Sequence, residues 1–492
     1  MLAVTAKDAA AMAEKVEGVE YHVCGFQVAA LLPASLVEKE LKSRKDLQGF
    51  SKVILPGGVR LDVRALEKAL GVPCFKGPTH ISDLRWMVEE KLGLSKDEPV
   101  EKLHERRVAE KALAELAEIR QTTWGRLAFG GMISVVAEIA DAPLLKDEEL
   151  AARAAYYARE GAGVIDLGMI AGRDNSEEVE RMVEAARKAS GLAVSVDSMN
   201  ERELLAAADA RADLLLSLAA DKTDLASSLG IPCVVVPVKS GRVEKDAWKK
   251  VVLLEDACAK LKNDGIERFI ADPILDPVNF GFAESMQAYY NFRKRNHDVP
   301  MLLGTGNVVE LFDAESIGMN ALLAGFASEL EIQFVLTPEN SQKARGSVRE
   351  LAQAARLLFV SKKRKGLAKD VGIGVFGLKE KKLLPQAKLQ ADESVNAGKQ
   401  KEKLDESFFK IFLDDSIGAV YEEKGKRILF KGKTARDAGI AIANDRRVHM
   451  TAEHAVYLGR ELAKAELCLL LGKSYVQDKP LDWGVYGAEE VG

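Results

Sequence analysis

Between residues 130 and 338, near-continuous apolar runs alternate with stretches in which apolar residues return every three or four positions. The runs are MISVVAEI (132–139), GVIDLGM (163–169), LAVSVDSM (192–199), ADLLLSLA (212–219), IPCVVVPV (231–238), RFIADPIL (268–275), PMLLGTGN (300–307) and IQFVLTP (332–338). The segments between them include DEELAARAAYYAREG, SEEVERMVEAARKAS and NERELLAAADA. Strand-length runs without polar alternation are buried on both faces, and amphipathic helices between them cover a parallel sheet. Eight such units over roughly 210 residues, closed by the helix ARGSVRELAQAARLLF, match the size of a (β/α)8 TIM barrel. An open doubly wound sheet is the competing fold, and eight units at this spacing favour closure.

The flanks read differently. In the first hundred residues VEYHVCGF, SKVILPGG and VPCFKG alternate with helices over SLVEKELKSR and VRALEKAL, which predicts an N-terminal α/β (Rossmann-like) domain over 1–105. The charged helix VEKLHERRVAEKALAELAEIRQ leads to the barrel, placed at 125–365. The polar, aperiodic QAKLQADESVNAGKQKEKLDES marks a linker within 366–406. A C-terminal α+β domain over 407–492 follows, with hairpin strands in FFKIFLDDSIGAVYEEKGKRILFKGKT and a Thr-capped helix in TAEHAVYLGRELAKAELCLLLG.

Composition narrows the function classes. The 492 residues are 47% apolar and carry a net charge of −5, so no excess positive charge is available for nucleic acid or an anionic membrane. No apolar run approaches the ~20 residues of a membrane span. The opening MLAVTAKDAAAMAEK lacks the pattern of a secretory signal, and a cytoplasmic location is expected. Cys24, Cys74, Cys233, Cys258 and Cys468 contain no close pair and the six histidines are dispersed, so buried thiols are expected rather than a protein-only metal cage. GKRILFKGKT superficially resembles a phosphate loop, but six residues separate Gly425 from Gly432 where four are required.

Three apolar runs carry a carboxylate near their ends: Asp166, Asp197 and Asp272. Burying an ionised carboxylate without partners costs several kcal/mol or more. At the C-terminal ends of barrel strands such residues point into the mouth where ligands bind, together with Glu138 and Asn307. For each aspartate a cap or turn role is the competing reading. A ring of carboxylates suits a rigid heterocycle presenting paired donors, a magnesium ion, or glycoside hydrolysis.

The sequence resembles a known family at these positions. GAGVIDLGMIAGR is similar to the second-strand motif of dihydropteroate synthases and pterin-binding methyltransferases, AVSVDSMN to their third-strand motif, IADPIL to their sixth-strand Asp-Pro, and FGF to their glycine-rich loop. LLGTGNVVELFDAESIGMNALLAGFASELEIQFVLTPE and RRVHMTAEHAVYLGRELAKAELCLLLGKSYVQDKPL extend the likeness. They resemble the dihydropteroate synthase-related proteins of methanogenic archaea and tetrahydromethanopterin-using bacteria. The resemblance implies catalytic roles for Asp166, Asp197 and Asp272, with Asp197 and Asp272 gripping the pterin and Asp166 shaping the floor. It implies substrate-binding roles for Glu138, Arg173, Ser217, Asn307 and Arg345, magnesium at Glu138, and pairing into a homodimer. The implied reaction is of the folate or tetrahydromethanopterin biosynthetic type. A dihydropterin pyrophosphate loses pyrophosphate and an arylamine captures the methylene carbon.

Several motif residues differ. IAGR keeps only Arg173 of the synthase loop, Leu216 replaces the strand-four Asn, TGNV replaces the strand-seven Ser-Arg-Lys, and the strand-eight Arg-x-His is absent, with Arg345 just beyond. Two functions therefore stand side by side: a dihydropteroate synthase-like transferase, and a pterin-binding methyl-transfer or carrier protein without synthase activity. Asn307 resembles the Asn of the methyltransferase branch. For His449 and His454 a surface or capping role outweighs that of a corrinoid ligand. A third possibility is a barrel without catalysis, with LPGG and FKGPTH as turns or as a ligand crevice at the ends of the N-terminal strands.

Overall fold

The computed structural model describes residues 1–10, 13–379, 408–423 and 425–483. The chain divides into two units, Met1–Leu389 and Gln390–Gly492. Among the described residues no helix is long and apolar enough to cross a membrane.

The first unit begins with a four-stranded parallel sheet, ordered second, first, third, fourth: Leu2–Thr5, Glu20–Val23, Val53–Leu55 and Cys74–Lys76. The strand Leu2–Thr5 adds to the three predicted ones; it is short and fully buried. Asp62 caps the helix Val63–Leu70 by accepting from the amides of Arg64 and Ala65, and Gly71 ends it in the left-handed conformation. The LPGG and FKGPTH turns pack on each other: Gly57 N donates to Pro78 O at 2.9 Å, and a Cβ at Gly57 would meet Gly77 O at 2.6 Å. The two turns are thus in direct backbone contact.

The helix Val100–Ala117 leads to the barrel. Its eight parallel strands are Ser134–Ile139, Val164–Gly168, Ala193–Asp197, Leu214–Ala219, Cys233–Val236, Phe269–Ala271, Leu302–Gly304 and Phe334–Pro338. Hydrogen bonding runs from strand six through five, four, three, two, one and eight to seven. A parallel bridge between Ala271 and Met301 joins six to seven and closes the ring. The fold is the expected (β/α)8 barrel.

Two layers of apolar packing hold it. Alternate strand residues face the outer helices, as do Val135, Ala137, Ile165, Val194 and Val235. The others fill the interior, including Val136, Val164, Leu214, Val234, Ile270 and Phe334. A hairpin of Thr122–Trp124 and Leu127–Phe129 belongs to this interior cluster, with the Phe129 ring 5.3 Å from that of Phe334. Phe334 begins strand eight, so the hairpin plugs the N-terminal end and the opposite end stays open for chemistry.

Of the predicted linker 366–406, residues 366–379 belong to the first unit: Val371 is buried in a cluster with Ala112 and Val360. The remainder lies outside the described residues. In the second unit, strands Phe408–Leu413, Ile417–Glu423 and Lys426–Gly432 form an antiparallel sheet against helices Ala435–Asn444 and Ala452–Leu471. Thr451 caps the last helix, accepting from the His454 amide. GKRILFKGKT is largely the third strand of that sheet.

Candidate functional site

Side chains two apart on a strand share a face. Val136, Val164 and Ile270 point into the barrel, and so do Glu138, Asp166 and Asp272, two residues further toward the open end. Asp197 and Ser195 are related in the same way on strand three, which places Asp166 opposite Ser195 and Gly168 opposite Asp197. Four carboxyl groups therefore enter one barrel interior. Above Asp166 lies a cavity of about 240 Å³ lined by Glu138, Asp197, Ser217, Asp272, Ile274 and Asn307, with Leu216, Val234, Leu302 and Leu336 among its apolar walls. Its volume lies a little below the usual range of ligand pockets, roughly 300–1,000 Å³.

Asp166 is fully buried. Its Oδ1 accepts from Ser195 Oγ at 2.5 Å, and Oδ2 has no hydrogen-bond partner. Burial, followed by the charges of Asp197 and Glu138, pushes its carboxyl well above the usual carboxylate range. Burial and these neighbours disfavour the charged form of Asp166 in the floor. Burial also raises Asp197, against a bond from Ser217 that favours the charged form. Glu138 is pushed up to about 7 by burial, with smaller contributions from Asp197, Asp141 and Glu310.

Asp272 is the most elaborately held of the four. Its Oδ1 accepts from the Tyr289 hydroxyl and from the Ile274 amide at 2.8 Å, leaving Oδ2 without a protein partner. Burial raises it to about 6, while Tyr289, the Ile274 amide and Lys250 oppose the rise. Ile274 takes φ +59, an unusual conformation for a β-branched residue, directly after the Asp-Pro step. Two bonds stabilise it: its amide to Asp272, and its carbonyl accepting from Lys250 Nζ at 2.8 Å. Lys250, fully buried, also reaches Asp276 Oδ2 at 2.7 Å, and Lys245 pairs with the other Asp276 oxygen. The loop after strand six is therefore clamped from beneath, with its strain concentrated where Asp272 meets the cavity.

A second irregularity aims Ser217. The pairing of strands four and five slips between Leu215 and Leu218, and Ser217 sits at φ +66. Such a bulge turns a side chain out of the regular alternation. Here it presents Ser217 to Asp197 and the cavity beside Leu216. Gly168 serves by absence: a Cβ there would lie 2.8 Å from Glu138 Oε1 and 3.2 Å from Ala140 Cα. Asn307 stands at the rim, its Nδ2 donating to Leu275 O at 2.9 Å.

The structure thus gathers Glu138, Asp197, Ser217, Asp272 and Asn307 around one cavity, with Asp166 beneath. Arg173 and Arg345 are exposed, on loops that follow strands two and eight, and do not line it. No Lys, Arg or His is among the lining residues. Sequence reasoning passed over Ser195, Lys250, Ile274, Asp276 and Tyr289. Lys250 and Tyr289 sit inside helical stretches, and only packing shows that they turn inward. His454 is buried against the Phe409 ring and His449 is exposed.

Residues 398–478 match the family described as PterinBD-DUF4346, and residues 6–79 a family of unknown function, DUF6513. A 69-residue stretch is 43% identical to the uncharacterized protein ycf91 of Pyropia yezoensis, covering 14% of this chain and 55% of that protein. Among solved structures, a Yersinia pestis DHPS with a pterine-sulfa conjugate aligns with TM-score 0.41 and 16% identity, over 50% of this chain and 100% of that one. The Xanthomonas albilineans dihydropteroate synthase with 7,8-dihydropteroate gives 0.40 and 19%, over 49% and 97%. The uncharacterized protein MJ0107 of Methanocaldococcus jannaschii is 34% identical over 94% of this chain and 95% of its own length. The chain belongs to the same family as MJ0107.

Proposed function

We propose that the barrel cavity binds a reduced pterin and that Asp272 is its principal recognition group. The observation that carries this reading is Asp272 itself, with Oδ1 saturated from behind and Oδ2 left for the cavity. The amino-pyrimidinone edge of a pterin offers adjacent N–H donors to such a carboxylate, and a charged acceptor in a buried wall binds them strongly. Asp197 and Ser217 meet further polar positions of the ring, while Leu216, Val234 and Leu302 contact its faces. The family matched by residues 398–478, in the second unit, carries a name that also refers to a pterin-binding domain.

The reaction follows from what the lining lacks. Departure of pyrophosphate needs positive charge to receive it. The charged groups of the lining are all acids. Among the described residues the barrel carboxylates do not gather three ligand atoms, so magnesium would enter only on a phosphate-bearing substrate, with Glu138 as one ligand. Glu138, near 7, is suited to exchange a proton with a ring nitrogen at neutral pH. This arrangement favours handling of a one-carbon-bearing tetrahydropterin over synthase chemistry.

The synthase reading, a pterin pyrophosphate condensed with an arylamine by a cytoplasmic homodimer, depends on Arg173 and Arg345. Both stand on loops that follow barrel strands. The experiment is a titration with 6-hydroxymethyl-dihydropterin pyrophosphate, with and without 4-aminobenzoate or its ribosylated counterpart, following binding heat and pyrophosphate together. Binding without release fits the carrier or methyl-transfer reading. Amine-dependent release, abolished by Arg345→Ala, would establish the synthase.

A further inference from the structure

We propose that His22, Cys24 and Glu40 form a binding site for a thiophilic divalent cation of the zinc class, with three protein ligands and a fourth position open to solvent. The site lies in the N-terminal α/β sheet and is separate from the carboxylate cavity. His22 belongs to the strand Glu20–Val23 at the sheet edge and Cys24 follows that strand, so the two side chains, two residues apart on extended chain, face the same way. Glu40 comes from the helix Ala34–Lys42. One ligand atom from each residue lies within 4.8 Å of the other two.

The finer geometry agrees. His22 Nε2 is 2.9 Å from Glu40 Oε2, and the Gly25 amide fixes the other carboxylate oxygen at 3.0 Å. A Cβ at Gly25 would stand 3.1 Å from that oxygen, so glycine makes the close approach possible. Metal bonds of about 2.0–2.3 Å at the tetrahedral angle set ligand separations of roughly 3.3–3.6 Å. The histidine–glutamate pair is within a few tenths of an ångström of that spacing, and the Cys24 sulfur lies within 4.8 Å of both. Cys24 is wholly buried, while the His22 and Glu40 side chains are 17% and 25% exposed. An ion can therefore enter between the latter two and settle on the sulfur.

Thiolate, imidazole and carboxylate together select a borderline-soft ion over magnesium or calcium. The place is the carboxyl end of the edge strand of this parallel sheet. Coordination would replace the Cys24 S–H bond with an S–metal bond and release the proton to solvent. The sequence hid the site because its third ligand is a glutamate one helix away, and neither cysteine pairs nor histidine clusters mark it.

The test uses the full-length protein, stripped with a chelator and titrated with cobalt(II), with zinc content measured after dialysis. The expected result is one metal per chain and a near-ultraviolet thiolate-to-cobalt charge-transfer band. Cys24→Ser should lose the band, Cys258→Ser should keep it, and Glu40→Gln and His22→Ala should weaken binding by more than about tenfold. Glu40→Gln alters a partly exposed group and keeps the test decisive if Cys24→Ser does not fold. No metal retained by the unaltered protein, or a charge-transfer band unaffected by Glu40→Gln and Cys24→Ser, would overturn the proposal and leave an ion pair beside a buried thiol.

Discussion

Tyr289 donates its hydroxyl hydrogen to Asp272 Oδ1, the same oxygen that receives the Ile274 amide. Both donors favour the charged carboxylate, against a burial that raises it to about 6. Asp272 is therefore mostly ionised at neutral pH and mostly protonated below about 6. Ligand binding that needs the carboxylate should weaken as pH falls through that value. Tyr289→Phe removes one of the stabilising bonds, so the midpoint should move upward by about one pH unit and binding at pH 7 should weaken by about twofold. Calorimetric titration across pH 5 to 8 checks it, and an unshifted midpoint would remove Tyr289 from the account.

Asp166 yields a prediction about stability. Its folded-state pKa lies well above its unfolded value, so the folded protein prefers the proton. Stability from that preference is complete below the unfolded pKa and is lost as pH rises through the folded one. Asp166→Asn removes the ionisable group while keeping a partner for Ser195. The variant should melt several degrees higher than the parent near pH 8, and the gap should close toward pH 4. A melting point lowered at both pH values would mean that the carboxyl itself is structurally required.

The buried Lys250–Asp276 pair should be costly to break. Lys250→Met strips Asp276 of its buried cation and leaves the Ile274 carbonyl without its donor. Removing one member of a buried pair typically costs about 3–5 kcal/mol. Lys245, still bonded to Asp276, should keep the loss near the lower figure. Denaturant unfolding measures this directly, and a loss under about 1 kcal/mol would show that the loop is not held from beneath.

Gly168→Ala tests the crowding around Glu138. The new methyl would lie 2.8 Å from Glu138 Oε1 and 3.2 Å from backbone at Ala140, so the carboxylate must swing aside. A modest stability cost of about 1–3 kcal/mol is expected. The raised titration expected for Glu138, near pH 7, should shift in carboxyl-group spectra. An unchanged titration would place Glu138 elsewhere.

Much of the barrel was legible because its signal is periodic. Every predicted strand has a counterpart, with edges trimmed where local chemistry overrides the apolar run. Strand six is the clearest case: 268–275 shrinks to Phe269–Ala271, since Pro273 offers no donor and Ile274 leaves the extended region. The carboxylates were visible as charges inside apolar runs. The bulge at Ser217 was not, because LLLSLA reads as one even strand and nothing local marks a left-handed serine. Tyr289 and Lys250 were hidden for another reason: helix periodicity does not say which polar residue turns inward to hold a loop from a different strand. Arg173 and Arg345 show the converse, since motif position placed them at the site and their exposed side chains do not line it.

The central claim is that the barrel cavity takes a reduced pterin on Asp272. Titration calorimetry with 6-hydroxymethyl-7,8-dihydropterin, comparing the parent, Asp272→Asn and Arg345→Ala at pH 7.5, tests it most directly. The account predicts saturable binding to the parent and to Arg345→Ala, and a loss of about 2–3 kcal/mol in Asp272→Asn, as expected for a hydrogen bond to a charged group. Equal binding by Asp272→Asn, or no binding by the parent, would contradict it.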